Sequence, residues 1–584
     1  MYVLGMNVGH NATACLLKDG RIMSCVSEER FTRIKNFCGV PLKSIKFVLE
    51  DNSITIKDID LVVTDDYYPI YTDPYYGKRY LEAYTNKSLK KKIFSKAGYL
   101  FPGAFSKYLN LKSVYYQMKK NSIDSDFKIN LGKMINVSPD KIERINHHLA
   151  HALSPCFNLP KNEKTLIFTS DGEGSGLSGS ISIFDGKELK VISKTGKADS
   201  IGCLYAIATI YLGMKPLEHE FKVMGMAPYA KSYHVDKIYS KLRRLFWIDE
   251  HLVIHSKFNI PFIDYFFEKE MKFVRFDTFA GAVQKLVEDI KTEWVRKAIN
   301  KTGIHSLALS GGTFMNVKAN QKIAELEEVK KLFVMPSSGD ESNAMGCCYY
   351  GYKQICERNK LLWNPEPLKH LYLGPYYNDE YVESLIKERN LRKKYEITYS
   401  KNIARAVGQL LAKGEIVARC SGRSEWGARA LGNRSILANP SHPDTIRVLN
   451  EMIKDRDFWM PFTPSVMAEE QKKYFLNPKE IPCPYMVITF NGTESAKKDM
   501  PAAMHPYDHT VRPQAVYKEW NPEYYAILSE FRKITGVGAL LNTSFNLHGE
   551  PNVLTPEDAF HTLENSALKY LALGNYLFRK KSSR

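Results

Sequence analysis

The sharpest chemical signal in the sequence is Asn146-His147-His148-Leu149-Ala150-His151. His147 and His151 are four residues apart, so a helix through this run projects both imidazoles from one face, the geometry two ligands of one metal ion require. A zinc peptidase of this pattern would need glutamate at position 148 as general base, and His148 argues against that class. The remaining ligands should be carboxylates from other loops. Asp171 and Asp340, each at a strand end within a glycine-rich turn, are the candidates. The plainer reading is a packed histidine cluster with aspartates as turn formers; the spacing of the pair favours a metal. His10 sits in the first glycine-rich turn, Asn7-Val-Gly-His10-Asn11. There an imidazole can act as general base near neutral pH, or simply hydrogen bond the backbone of its turn. Farther along, Ser421-Gly-Arg423-Ser-Glu425-Trp-Gly-Ala-Arg429-Ala-Leu-Gly432-Asn-Arg434-Ser435 sets three arginines among small residues. Guanidinium forks beside glycine suit phosphate and carboxylate. Lys454 and Arg456, then Arg512 before a proline, then Asn542 and Ser544 in Asn542-Thr-Ser-Phe-Asn546, extend the set. Each alone reads as a surface cation or a turn residue; together they point to a site for small polyanions.

These residues need elements to hold them. The chain opens with a strand (Tyr2 to Met6), a small-residue turn, a strand (Ala12 to Leu17), Asp19-Gly20 and a third strand (Arg21 to Val26), a hairpin pattern. The pattern returns at Leu166 to Ser170, Asp171 to Gly176, Ser180 to Phe184 and Asp185-Gly186. One β-hairpin unit used twice, each with a glycine-rich turn toward a central cleft, resembles the actin-like, sugar-kinase-like ATPase fold. Gly174-Ser-Gly176-Leu-Ser-Gly179 matches G-x-G-x-x-G but leads into a strand, so no helix N-terminus is available for a pyrophosphate. Phe276 to Asn300 has helical apolar spacing. It leads into Ser306-Leu-Ala-Leu-Ser310-Gly311-Gly312, a strand and glycine turn before a helix, where close approach suits a nucleotide. Leu332 to Met335 is a further strand before the turn that holds Asp340. Leu361-Leu-Trp-Asn-Pro-Glu-Pro367 breaks the rhythm, which predicts units over 1–367 and 368–584, the last helix or strand returning to the first. The stretch at about 76–130, with Lys90 to Lys92 and many tyrosines, reads as a solvated helical insertion, since no RNA-binding signature accompanies it.

Composition bounds the function classes. The chain has 584 residues, 44% hydrophobic and 25% charged, which excludes a wholly disordered or low-complexity protein. Its net charge of +18 admits either a nucleic-acid partner or plain lysine decoration. Its 10 cysteines are scattered, with no C-x-x-C, which fits reduced thiols in the cytosol. The N-terminus has no basic segment before an apolar core, and no run of about 18 apolar residues occurs. A cytoplasmic protein without a membrane partner is expected.

The motifs in order resemble the O-carbamoyltransferases of nodulation-factor and antibiotic biosynthesis along nearly the whole chain. The resemblance rests on His10 with Ala12 to Ala14, Ser27-Glu-Glu-Arg-Phe-Thr-Arg33 with Lys35, and His147 to Ala152. It continues through Lys222 to Tyr229, Ser310 to Asn320, Gly339-Asp340, Gly422 to Leu437, Lys454 to Ser465 and Leu541 to Pro551. It implies an actin-like unit similar to the tRNA threonylcarbamoyl transferases, fused to a C-terminal YrdC-like α/β unit. The second would join carbamoyl phosphate to ATP as carbamoyl adenylate. The first would pass the carbamoyl group to a hydroxyl of a small natural-product-type acceptor. By resemblance, His147, His151, Asp171 and Asp340 hold a divalent metal, read as Fe(II), with Mg accompanying ATP. His10 is then the base, while Ser310, Gly311, Gly312 and Asn316 contact the nucleotide. Lys35, Arg429, Lys454, Arg512, Asn542 and Ser544 bind carbamoyl phosphate and ATP. Nucleic acid is not an expected partner on this reading, and a homodimer is compatible with it. The alternative enzyme reading is tRNA threonylcarbamoylation, which the basic charge would suit; a catalytically silent nucleotide sensor is a third. Three positions depart from the family pattern: Asn11 where Asp is common, Ala428 within the usual Gly-Pro-Arg, and Met460 where Arg is common.

Overall fold

The computed structural model describes residues 1–66, 89–105, 107–108, 120–454 and 457–581. Much of the expected insertion at 76–130, and Arg456, therefore lie outside the described residues. The chain is mixed α/β and divides into two compact units: Met1–Met23 with Asn36–Leu368, and Ser24–Lys35 with Lys369–Arg584.

The strands of the N-terminal half are β1 (Tyr2–Asn7), β2 (Thr13–Lys18), β3 (Arg21–Ser27), β4 (Leu61–Asp65), β5 (Ile142–Ile145), β6 (Thr165–Gly174), β7 (Leu177–Phe184), β8 (Leu189–Gly196), β9 (Phe246–Ile248), β10 (Ile254–Ser256), β11 (Ser306–Ser310) and β12 (Lys331–Val334). One five-stranded sheet has the order β3-β2-β1-β4-β5 and another the order β12-β11-β6-β7-β8. Read from its third strand outward, the second sheet repeats the first. In each, the opening strand pairs antiparallel with the next and parallel with a later strand, β1 with β4 and β6 with β11. The duplication read from hairpin pattern thus extends to the parallel strands, whose partners only a crossover can bring together.

One detail of the second hairpin differs from expectation. The turn does not begin at Asp171. β6 runs on to Gly174, with a register shift between Ser170 and Gly174, so Asp171 sits on a bulged strand. The hydroxyl of Ser200 donates to the Asp171 and Gly172 carbonyls at 3.2 and 2.6 Å, which satisfies groups the bulge unpairs. Gly179 lies within β7, so the glycine run leads into a strand rather than into a helix N-terminus.

The amphipathic helix forms at Phe276–Thr302. Its apolar positions, Phe279, Val283, Leu286, Ile290 and Trp294 among them, are buried. It also buries Lys291, whose ammonium nitrogen donates to the Thr313 carbonyl at 2.6 Å and lies 4.2 Å from the Phe314 ring centre. Burial pulls this amine down to about 7.

The second unit is built on an eight-stranded mixed sheet. Its order is Tyr395–Tyr399, Tyr576–Lys580, Tyr570–Leu573, Val417–Cys420, Arg434–Ala438, Ala539–Ser544, Thr463–Met467 and Gln514–Val516. The last helix (Pro556–Glu564) and last strand belong to this unit, not to the first as anticipated. The crossing segment is instead Ser24–Lys35. A boundary read along the sequence misses it because units are defined by contacts in space.

Lys291 sets a testable pH dependence. An amine with a lower pKa folded than unfolded leaves the unfolded chain holding more protons between about 7 and 10.5, so its contribution to stability rises with pH across that window. Denaturant unfolding of Lys291→Met and the wild type at pH 7 and pH 9.5 should show the wild type gaining stability relative to the variant at the higher pH. A constant difference would refute the neutral, buried amine.

Candidate metal centre and anion site

The metal candidates meet as the spacing suggests. His147 and His151 lie on the helix His147–Leu153, which Asn146 caps by accepting from the Leu149 amide at 3.2 Å. Asp171 arrives from the bulge in β6, and Asp340 from the short turn ahead of the helix Asn343–Arg358. The helices bearing or following these ligands approach at Gly346, where a Cβ would collide with the Ala150 carbonyl. One ligand atom from each of His147, His151, Asp171 and Asp340 lies within 4.8 Å of every other. The two Nε2 atoms are 3.1 Å apart, and His147 Nε2 is 3.2 Å from Asp171 Oδ2 and 3.4 Å from Asp340 Oδ1. His151 Nε2 is 3.6 Å and 3.4 Å from the same oxygens.

The electrostatics follow from burial and proximity. Burial alone would lower the His147 pKa, but Asp340, Asp171 and Asp65 outweigh it and hold the ring well above its ordinary value. His151 is likewise raised against burial, by Asp171 and Asp340. Burial opposes ionisation of Asp171, yet both imidazoles hold its carboxyl well below the usual range. His148 faces away from this centre. Its Nδ1 is 2.8 Å from the Thr169 hydroxyl, and burial and the neighbouring histidines push it down to about 3, so it is neutral. Two imidazoles and two carboxylates converging on one point suit a divalent transition metal, whose charge would replace the protons held there.

Sequence reasoning missed Asp65. It ends the apolar strand β4, is fully buried, and places Oδ2 3.0 Å from His147 Nδ1. The Asn343 amide donates to the same oxygen at 3.1 Å. A carboxylate on Nδ1 fixes the ring and presents Nε2 to the centre. The available signal was an aspartate closing an otherwise apolar strand.

The other candidates of this unit fall into place variously. Half-buried His10 sits in the turn after β1, and its Nε2 is shielded and has no hydrogen-bond partner among the described residues. Asn11, one of the departures, has positive φ and donates to Glu341 Oε2 at 3.3 Å. An ionised aspartate could not make that bond, so the substitution matches the chain's own Glu341. Ser310 is buried against the Ser154 hydroxyl at 3.1 Å. The Gly311 amide donates to the Ser338 carbonyl at 2.9 Å. A Cβ on Gly312 would come within 2.6 Å of Asp171 Oδ1, so this glycine leaves room for a ligand carboxylate. Asn316 caps its helix by accepting from the Ala319 amide, and it exchanges bonds with Gln284, which also meets Glu288 and Tyr205.

In the second unit the predicted cations divide. Arg434 is fully buried and donates to the carbonyls of Leu554, Ser421, Gly422, Asn433 and Pro375. Of the three arginines in its motif it is therefore a buried brace, its guanidinium turned to backbone carbonyls. Lys454 is buried, and its ammonium donates to the Ser544 carbonyl, to Ser544 Oγ at 3.3 Å and to Asn546 Oδ1 at 2.9 Å. This brings Lys454 and Ser544 together. Asn542 is buried, and its amide donates to the Ala430 carbonyl at 3.0 Å, Ser465 Oγ at 2.9 Å and Gln514 Oε1 at 3.2 Å. It thereby ties the backbone beside Arg429 to the strand just after Arg512. Arg429 and Arg512 are half-buried, as is Lys35, which the structure groups with this unit. Met460 is buried and Ala428 exposed.

Asp65→Asn is expected to weaken divalent-metal binding by roughly 10–100-fold while the protein stays folded. Titration of apoprotein with Co(II), followed by its visible spectrum, measures this; unchanged affinity would remove Asp65 from the support of the centre.

Two comparisons bear on identity. The profile described as "Carbamoyltransferase N-terminus" matches residues 2–349, and "Carbamoyltransferase C-terminus" matches residues 408–580. Nodulation protein NolNO of Sinorhizobium fredii is 30% identical, covering 98% of this chain and 79% of its own. The 3'-hydroxymethylcephem-O-carbamoyltransferase of Amycolatopsis lactamdurans is 29% identical over 47% of this chain and 49% of its own. Among solved structures, component A of the Acidaminococcus fermentans (R)-2-hydroxyglutaryl-CoA dehydratase covers 61% of this chain and 99% of its own, at 14% identity and a TM-score of 0.33, too distant to argue from. With both halves matched in order, and the converging His147, His151, Asp171 and Asp340 inside the first match, the chain belongs to the O-carbamoyltransferase family and is an enzyme of that type.

Proposed function

We propose that this protein is an ATP-dependent O-carbamoyltransferase acting on a hydroxyl of a small natural-product-type molecule. The observation that carries the reading is the convergence of His147, His151, Asp171 and Asp340 in a chain of this family. The cephem relative, named for O-carbamoyl transfer, supports a hydroxyl acceptor. The first unit is taken as actin-like and the second as YrdC-like, with roles divided as the resemblance implies.

In the second unit, water cleaves carbamoyl phosphate to carbamate and phosphate, and the carbamate oxygen then attacks the α-phosphate of ATP, giving carbamoyl adenylate as the bond to pyrophosphate breaks. Arg429, Arg512 and Lys35 bind the anionic oxygens, Lys454 shapes the loop of Ser544 through Ser544 and Asn546, and Asn542 holds the loops that carry the first two. In the first unit, His147, His151, Asp171 and Asp340 would hold a divalent metal, read as iron. When bound, it supplies positive charge against the adenylate phosphate and departing AMP. The backbone of Gly311 and Gly312 lies beside the nucleotide, with Ser310 and Asn316 holding the turn. His10 Nε2 accepts the acceptor's hydroxyl proton, since a neutral hydroxyl is a poor nucleophile. The oxygen then attacks the carbamoyl carbon, the bond from that carbon to the phosphate oxygen breaks, and AMP leaves. Its shielded, unpartnered Nε2 supports His10 as that base.

His10→Ala should lose transfer by about 10²–10⁴-fold while retaining carbamoyl-phosphate-dependent ATP–pyrophosphate exchange. Labelled carbamoyl phosphate, ATP, Fe(II) and a panel of hydroxylated acceptors, read by mass spectrometry, provide the assay. Transfer at the wild-type rate in His10→Ala displaces the base. Absence of carbamoyl-phosphate-dependent AMP formation in the wild type displaces the ATP route.

A further inference from the structure

The second unit contains twelve residues that the chain lays down long before the rest of it, Ser24–Lys35. They comprise the end of β3 and a single helical turn, Glu29–Thr32, ended by Arg33 in the left-handed region at φ 60°. Thr32 Oγ ties the turn by donating to the Glu28 carbonyl at 3.0 Å, and Cys25 is anchored through its amide to the Leu373 carbonyl at 3.2 Å. Two arginines leave this turn, and each ends on a different loop.

Arg30 is buried and donates to the Gly427 carbonyl at 2.7 Å. Gly427 has φ 95° and lies two residues before Arg429. That loop is closed on its inner side by Glu425, whose Oε1 accepts from the Leu431 and Arg434 amides at 2.6 and 3.2 Å. Arg30 is therefore a second support of the segment that carries Arg429. Arg33 grips the other loop. Its guanidinium donates to the Asn552 and Pro551 carbonyls at 2.7 and 2.8 Å, and lies 3.4 Å from Glu550 and 3.7 Å from Asp558. The far end of that loop is held by Lys454 on Ser544 and Asn546, and Asn546 donates to the Glu550 carbonyl at 2.7 Å.

We infer that Arg30 and Arg33 are positioning residues for the anion site, a two-pronged strap that sets the spacing between the Arg429 loop and the Ser544 loop. This rests on the reading of those loops as the carbamoyl phosphate and ATP site. Neither arginine needs to touch substrate. Arg30 fixes one backbone carbonyl and Arg33 two, and positional error of about an ångström in a binding loop is enough to lose roughly 100-fold in rate. Two carbonyls plus carboxylates around one planar guanidinium is a geometry that an ammonium cannot copy.

The experiment uses the full chain carrying Arg33→Ala, Arg33→Lys or Arg30→Met. Carbamoyl-phosphate-dependent ATP–pyrophosphate exchange is measured with amide hydrogen exchange over 426–431 and 545–553. In Arg33→Ala, the carbamoyl phosphate KM should rise at least about tenfold with kcat changed less, and amides at 545–553 should exchange faster. Arg33→Lys should not restore it, whereas millimolar guanidinium ion added to Arg33→Ala should do so in part, which relief of simple instability would not. Arg30→Met should show the same KM rise with faster exchange at 426–431. Wild-type KM and unchanged loop exchange in Arg33→Ala and Arg30→Met overturn the strap while leaving the functional reading intact. A wild-type protein without any such exchange activity overturns the functional reading itself.

Discussion

The first unit depends on two half-buried carboxylates, Asp171 and Asp340, that are brought together with little access to water. Their mutual repulsion and their desolvation both oppose ionisation, and only the adjacent imidazoles of His147 and His151 hold them charged. Such a cluster is unstable in isolation and invites a cation. The surrounding features follow from that need. The bulge in β6 aims Asp171 inward, Gly312 gives its oxygen room, Asn146 starts the histidine helix, and Asp65 turns the His147 ring.

The second unit solves a different problem with the same residue type used in two ways. Buried Arg434 and Arg419 spend their donors on carbonyls and on neighbouring side chains, Asn433 and Glu523 in the case of Arg419. Buried guanidinium groups are tolerable because their hydrogen-bonding groups are engaged. Arg429 and Arg512, by contrast, are half-buried. The net charge of +18 therefore says little about partners, since some of the chain's cations are structural and many others sit in exposed ion pairs that contribute little.

The relation of the two matched halves to the structure has an asymmetry. The N-terminal profile spans residues 2–349 without a break, yet Ser24–Lys35 within it packs as part of the second unit. Sequence profiles follow chain order, and compact units follow contacts. A clean division of labour along the chain is thus drawn too simply, because each arginine of the strap is placed by one stretch of chain and used by another.

The sequence by itself determined the elements whose signals are local. A spacing of four between histidines is a helix face, Asp-Gly between β-rich runs is a hairpin, and glycines after an apolar strand mark a turn that approaches another group closely. Those periodicities depend only on neighbours within a few residues, so His147, His151 and the paired hairpins were legible. What only the tertiary structure decided was which distant residues meet. Asp65 lies 82 positions from His147, and Arg33 lies 518 and 519 positions from the carbonyls it holds. No local pattern encodes such pairings, because they are selected by the joint burial of whole sheets. The same reason separates Arg434 from Arg429. Five positions apart in one motif, one is spent on the backbone and the other retains access to solvent, and only packing distinguishes them.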